Sequence, residues 1–347
     1  MAQAAASESG KSGTKTPTSA ADEAEPKSYS DLLSTLPARG GWVSLVQYQN
    51  YWLNPGRLQH IIPVKELYKP RADDIILATY LKCGTTWLKA LAFAITTRGR
   101  HHHAGAFAAD DGGDHPLLTV HPQEAVPHLE VHTPGQGLAD IEMLQSPRLL
   151  GTHLPLSLLP PAVVATSGSG CRVVYLCRQP KDVFVSLWHF VMDMRGGRSP
   201  VEMDAALSMF CEGVSPFGPV WEHYLEYWKE SLARPEQVLF MRYEEMVADP
   251  VRAVKTLAGF FAVPFTEEEE RAGVPEEIVR LCSFETLSGL ESNRTGDLDC
   301  GDNTVIGKST FFRKGKVGDW ENHMTKEMGK KVDDVFEEKL KGSGLVF

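Results

Sequence analysis

Residues 75–91 read IILATYLKCGTTWLKAL, and the kind of fold this chain can adopt turns on them. Ile75 to Tyr80 is a short apolar run suited to a buried parallel strand. From Trp87 to Thr97, apolar residues recur at Trp87, Leu88, Leu91, Ala92 and Ile95, the spacing of a helix. Between them, Lys82-Cys83-Gly84-Thr85-Thr86 makes a tight turn that feeds backbone N–H groups into a helix N-terminus. One glycine, two hydroxyls and a lysine in such a turn suit a phosphate. The lysine precedes the glycine, so this is not the triphosphatase signature, in which Lys-Ser/Thr follows the second glycine. An ordinary Gly- and Thr-rich turn would look the same locally, and the rest of the chain decides.

With 347 residues, 42% of them hydrophobic, the chain can bury a sizeable core as one large α/β domain or two smaller ones. Its formal net charge of −10 speaks against nucleic acid or an anionic membrane as partner, so any anion site has to be a local basic cluster. The cysteines at 83, 171, 177, 211, 282 and 300 are too few and too scattered for a disulfide framework, and read as reduced thiols of a cytoplasmic protein. No apolar run reaches the ~18 residues of a membrane span, and there is no hydrophobic signal core at the N-terminus. Residues 1–36 lack arginine and carry Glu8, Asp22, Glu23 and Glu25, unlike a plastid transit peptide. The first 28 residues have almost no large apolar side chain to offset the entropy of ordering. We expect 1–35 to be a disordered tail and 36–347 to be the folded domain.

Trp42, Tyr48, Tyr51 and Trp52 form an aromatic cluster that either lines an acceptor pocket or covers a sheet edge. Seven of the twelve histidines fall between 101 and 132, without the spacing of a closed metal site, so a solvated His-rich loop is the expectation. Arg148 to Leu156, RLLGTHLPL, reads as a strand that ends at Thr152-His153 before Pro155. That puts His153 at a C-terminal strand edge, where open α/β sheets place their ligands. Cys171 to Cys177 is the most strand-like run of all; Arg178 follows it, and then a helix from about Lys181 to Met194 that carries Ser186. Arg178 and Ser186 could converge on one anion, or make only local bonds. Helices near 201–211 and 219–232, a strand at Val238–Tyr243 and a helix from Asp249-Pro250 to Phe261 follow. Strands alternating with helices, without tight Asn-Gly hairpins, predict a mainly parallel sheet flanked by helices on both faces. Glu291 to Lys308 reads as a long loop, leading to FFRKGKVGDW at 311–320, whose Arg313, Lys314 and Lys316 around two glycines suit an anion clamp. A last helix is expected over Thr325–Leu340.

Taken together, the Lys-x-Gly-Thr-Thr-Trp turn, Arg148 to Pro155, CRQPKDVFVSLWHF at 177–190 and RKGKVGDW at 313–320 resemble the soluble sulfotransferases, most of all those of plants. The resemblance runs from about residue 42 to residue 340 in the family's order. It implies one α/β domain with a P-loop-like 5′-phosphosulfate loop. The implied donor is 3′-phosphoadenosine-5′-phosphosulfate (PAPS), with no metal, and the acceptor a small hydroxylated molecule such as a flavonoid, steroid, hydroxyjasmonate or phenolic. Residues 316–327 carry no clear copy of the dimerisation motif of the family's animal members, and a cytoplasmic monomer or weak homodimer is the expectation.

Carried over residue by residue, Lys82, Cys83, Gly84, Thr85 and Thr86 would hold the 5′-phosphosulfate, with Lys82 at the leaving oxygen. Arg178, Ser186, Arg313, Lys314 and Gly315 would bind the 3′-phosphate. Trp87 and Phe284 would sandwich the adenine, with Tyr243 at its edge and Cys282-Ser283 beside it. His153 would be the general base, and Tyr48, Tyr51, Trp52 and His121 would border the acceptor. The chain departs from the family at Cys83 and Cys282, where hydroxyls are usual, and at Gly151, where many animal members carry a lysine. A non-catalytic protein that binds adenosine phosphates is the alternative. A nucleotide kinase would need a Walker lysine and a strand-end Asp, which are not found.

Overall fold

Ile75–Thr79 is buried at every position, and it takes an interior place in a four-stranded parallel sheet, since a strand covered on both faces has no polar side to turn outward. The structure is a computed structural model and describes residues 28–100, 115–131, 137–164, 171–195, 201–301 and 304–347. The His101–His103 cluster of the expected loop, and His132, lie outside the described residues. By contacts the chain divides into Met1–Thr35 and Leu36–Phe347. Among its described residues the first unit has one helix, α1 (Tyr29–Thr35), at the end of the stretch expected to lack a fold.

The second unit opens with an antiparallel meander, β1 (Ala38–Arg39), β2 (Leu45–Tyr48) and β3 (Tyr51–Leu53), and then α2 (Pro55–Leu67). Next come β4 (Ile75–Thr79), α3 (Thr85–Thr97), α4 (Pro122–Ala125), α5 (Leu138–Met143), β5 (Leu149–Thr152) and β6 (Arg172–Cys177). Three helices follow, α6 (Pro180–Met194), α7 (Met203–Cys211) and α8 (Val220–Ala233), and then β7 (Val238–Arg242). Helices α9 (Tyr243–Ala248), α10 (Pro250–Phe260), α11 (Glu267–Arg271), α12 (Val274–Leu281), α13 (Phe284–Gly289) and α14 (Glu291–Arg294) lead to a hairpin, β8 (Asp297–Asp299) with β9 (Val305–Gly307). The last helix is α15 (Lys326–Leu340).

The main sheet has the order β5-β4-β6-β7, with Ala78 opposite both Thr152 and Tyr175, and Cys177 opposite Arg242. The register brings the C-terminal ends of β4, β5 and β6 to one edge, so the Lys82 turn, His153 and Arg178 all emerge there. Side chains alternate across a strand. Val174 and Leu176 of β6 join Leu88, Leu91, Val254, Leu257 and Ile278 in a core under α3, α10 and α12. Tyr175, between them, faces the opposite way and stacks on Tyr227 of α8, ring centroids 4.1 Å apart. Helices therefore cover both faces, as the alternation of strands and helices predicts.

Two features differ from the sequence expectation. The Trp42–Trp52 segment is the meander, whose turn at Gln49 (φ 47°) and Asn50 (φ 72°) reaches hairpin geometry without an Asn-Gly pair to announce it. Trp42 is fully buried and packs on Phe184 of α6 at 6.2 Å. The expected long loop after Leu290 holds α14 and the β8–β9 hairpin, which are too short to show a period.

Candidate functional site

Strand β4 ends in a turn that bends sharply. Lys82 has φ 65° and Gly84 φ 104°. A non-glycine residue held there costs about 1–3 kcal/mol, a cost met where surrounding packing enforces the geometry. Gly84 is required by close approach as well, since a Cβ would lie 2.8 Å from the Tyr243 ring. The first helical bond of α3 runs from Leu88 N–H to the Gly84 carbonyl at 2.9 Å, so the N–H groups of Thr85, Thr86 and Trp87 have no carbonyl within the helix to bond. Cys83 corrects one expectation: its thiol turns into the core, 3.3 Å from the Tyr224 hydroxyl, and burial pushes it up to about 12. It makes no thiol contact with the cavity.

That cavity has a volume of about 320 Å³. Of the expected donor residues, Lys82, Gly84, Thr85, Thr86, Trp87, Arg178, Ser186, Tyr243, Cys282, Ser283, Phe284, Arg313, Lys314 and Gly315 all line it. The Lys82 ammonium lies 3.9 Å above the Phe190 ring. Burial, and then the Arg313 and Arg178 charges, hold it down to about 7. Arg178 donates to the carbonyls of Lys316 (2.7 Å) and Lys82 (3.4 Å), with its guanidinium 4.5 Å from the Tyr243 ring. Asp182, one turn along α6 and fully buried, accepts from the N–H groups of Gly318 (2.8 Å) and Trp320 (3.0 Å), which fastens the basic loop to the helix. Arg313 pairs with Asp319 at 2.7 Å. The Nε atoms of Arg178 and Arg313 are buried with no partner among the described residues. A buried donor left unpaired costs about 1–3 kcal/mol, so this is a site with bonds still to give. Trp87 meets Tyr243 edge-on at 5.6 Å, and Phe284 is 40% exposed against the Gly315 backbone, where a Cβ would come within 2.5 Å of its ring.

His153 reaches the same cavity from the end of β5. Its Nδ1 lies 3.0 Å from the Thr79 carbonyl, which can only accept, so Nδ1 carries the proton and Nε2 keeps the basic lone pair. Burial, and next the His128 imidazole 4.7 Å away, hold His153 down to about 3, with Glu130 opposing. Glu130 is fully buried and accepts from the His153 backbone N–H at 2.7 Å and the Thr152 hydroxyl at 2.9 Å. Burial pushes its carboxyl up, but the His128 ring 3.6 Å away and the bond from the His153 N–H outweigh that and hold it below the usual carboxylate range. Gln123, on α4, also lines the cavity.

Gln123, His128, Glu130 and Phe190 escaped the sequence reading. Residues 121–131 are irregular apart from one turn of helix and a single bridge of His128 to Gly151, and their only signal is polar residues spaced among apolar ones. The four expected acceptor residues do not line the cavity. Tyr51 is buried with its hydroxyl on Glu226 at 2.7 Å, and Tyr48 is half-buried beside Gln49. The His121 Nδ1 caps α4, and its ring packs on Phe311 and Phe312. Trp52 acts through its backbone: it donates to the Gly218 carbonyl (2.8 Å) and accepts from Phe217 N–H (2.7 Å), which places the Phe217 ring 5.9 Å from His153.

Comparison with known proteins bears on this geometry. The family described as Sulfotransferase domain matches residues 72–344. Cytosolic sulfotransferase 17 of Arabidopsis thaliana is 41% identical over 329 residues, 93% of this chain and 91% of the relative. Cytosolic sulfotransferase 8 of the same plant is 43% identical over 319 residues, covering 90% and 91%. Among solved structures, an Arabidopsis thaliana putative steroid sulphotransferase superposes with a TM-score of 0.70 at 35% identity, over 96% of this chain and all of that one. A mouse sulfotransferase complexed with PAP gives a TM-score of 0.62 at 25% identity, over 86% of this chain and 95% of that one.

Proposed function

This chain belongs to the sulfotransferase family, and we propose that it transfers a sulfuryl group from PAPS to a hydroxyl of a small metabolite, with the cavity at the β4–β6 edge as its donor site. The observation that carries this reading is the meeting of Lys82, Arg178 and Arg313, from three remote segments, in a cavity walled by Trp87, Tyr243 and Phe284. A lysine held down by burial and by two neighbouring guanidiniums, whose Nε–H groups have no acceptor among the described residues, fits a ligand with two anionic ends and a flat ring between them. When bound, PAPS supplies the activated sulfuryl group.

The first-turn N–H groups of α3, Thr85 and Thr86 hold the 5′ end, and Lys82 stabilises charge on the departing oxygen. Arg178, Ser186, Arg313, Lys314 and the Gly315 backbone hold the 3′-phosphate. Trp87 and Phe284 flank the adenine, Tyr243 meets its edge, and Cys282 and Ser283 lie beside them. His153, neutral and fixed by the Thr79 carbonyl, takes the acceptor proton on Nε2. Glu130, ionised against its backbone N–H, favours the imidazolium that results. The acceptor is a small hydroxylated molecule that approaches beside Phe217. The curated relatives are named cytosolic, and we place this chain in the cytoplasm with them.

The test is transfer of labelled sulfate from PAPS to a panel of hydroxylated plant metabolites, with His153→Ala in parallel and PAPS binding measured for both. Acceptor-dependent transfer, lost in the variant while donor binding stays, is the expected result. A wild-type protein that does not bind PAPS overturns the reading.

A further inference from the structure

We propose that Lys89 and Gln123 are positioning residues that aim the Thr86 hydroxyl proton into the cavity, at the 5′ anion of the donor. This rests on the donor-site reading above and names two residues that it leaves without a role.

Lys89 lies on α3 and is fully buried, yet it meets no carboxylate at bonding distance among the described residues. Its Nζ donates to the Gln123 Oε1 at 2.6 Å and to the Val126 carbonyl at 2.8 Å. As an ammonium, that nitrogen has protons and no lone pair, so both neighbours have to accept from it. The orientation of the Gln123 amide, ordinarily open to a flip, is therefore settled: the atom facing Lys89 is oxygen. The His128 Nε2 lies 3.2 Å from the same oxygen and, in the tautomer protonated there, is a second donor to it. The amide nitrogen is then the atom that faces the Thr86 Oγ1, at 3.1 Å, and it has to donate.

A hydroxyl that accepts such a bond keeps its own proton for another partner. A threonine inside a helix commonly gives that proton to the carbonyl four residues back. For Thr86 that residue is Lys82, which stands outside the helix in left-handed backbone with φ 65°. The proton is left for the cavity that Thr86 lines. A donor chain thus runs from Lys89 through Gln123 to Thr86, and only its last member touches the ligand.

Gly151 belongs to the same device. A Cβ there would lie 2.6 Å from the Lys89 Cε and 3.1 Å from its Nζ. Without a side chain at 151, Lys89 can cross the face of β5 to reach Gln123. Adding one methyl group should displace the lysine while every participating side chain remains.

The experiment is equilibrium binding of labelled PAPS to the full chain, needing no acceptor. It compares wild type, Lys89→Met, Gln123→Met, Gly151→Ala and Thr86→Val, and adds the first two substitutions to Thr86→Val, with melting followed for each. Lys89→Met, Gln123→Met and Thr86→Val should each raise the dissociation constant about tenfold, or ~1.4 kcal/mol. Gly151→Ala should change it in the same direction. On the Thr86→Val background, Lys89→Met and Gln123→Met should add less than about twofold, because their route to the ligand is gone. Unchanged affinity in both Lys89→Met and Gln123→Met, or the same weakening with and without the Thr86 hydroxyl, overturns the proposal. Should Lys89→Met fail to fold, Gln123→Met in the same cycle decides by the same criterion. Failure of the wild type to bind PAPS is a different result, and overturns the donor-site reading on which this rests.

Discussion

Two groups of residues meet at one cavity, the second reaching it through His153, and manage charge in opposite ways. Lys82, Arg178 and Arg313 crowd positive charge together, with guanidinium N–H groups unspent. Around His153 the imidazoles are buried and neutral, packed about a single carboxylate whose bonds are already made. The first group has donors to offer an anion, whereas the second holds neutral rings that can take a proton. Binding and turnover should therefore be separable by mutation, and each prediction below tests that separation.

The largest effect should come from His153→Ala, which should lower turnover by about a thousandfold while the PAPS dissociation constant stays within about twofold, measured by sulfate transfer and equilibrium binding. A large loss of donor affinity in this variant would merge the two groups. Arg178→Ala is the opposite arm. It should weaken PAP binding by about a hundredfold, because it removes charged hydrogen bonds and loosens the basic loop it holds. Calorimetric titration measures it directly.

Acid should injure the imidazole group first. Burial leads in holding His121, His128 and His223 down to about 4 and His153 to about 3, whereas the unfolded chain titrates at its ordinary ~6.5. Between those values the unfolded state binds protons that the folded state refuses. Stability is then fully present above about pH 6.5 and is lost as pH falls toward 4. The melting temperature should drop by at least about 5 °C between pH 7 and pH 5, and His121→Asn should reduce that drop.

A smaller signature belongs to the cations. Lys82, held to about 7 in the free protein, should rise when an anion arrives, so PAP binding near pH 8 should take up close to one proton. Titrations in buffers of different ionisation enthalpy report it, and its loss in Lys82→Met assigns it. The smallest effect should be that of Cys83→Ser, whose side chain faces Tyr224 and not the cavity. Donor affinity should stay within about twofold.

What the sequence revealed follows the same division. The Lys82–Trp87 turn and the 313–315 loop are contiguous motifs whose composition and spacing suit an anion, whereas for Arg178 they left a purely local bond open and only the resemblance gave it a role. The β4 and β6 runs were legible because strands buried on both faces admit only apolar residues. The His153 surroundings were not, since Glu130, His128 and Gln123 reach it from a segment with almost no periodicity of its own. The resemblance placed Tyr51 and His121 at the acceptor, and it could not foretell that Tyr51 bonds Glu226 and that His121 caps α4. Polar residues are assigned by partners, and partners remote in sequence leave no pattern.

Arg178 ties the carbonyl of Lys82 to that of Lys316, and Asp182 secures Gly318 and Trp320 behind them. The proposed donor site thus joins the turn after β4 to the loop before α15. During synthesis it cannot exist until residues 313–320 have left the ribosome. The donor cannot serve as a template for the nascent chain: the fold has to close on its own apolar core, and the nucleotide can only fasten a structure already made.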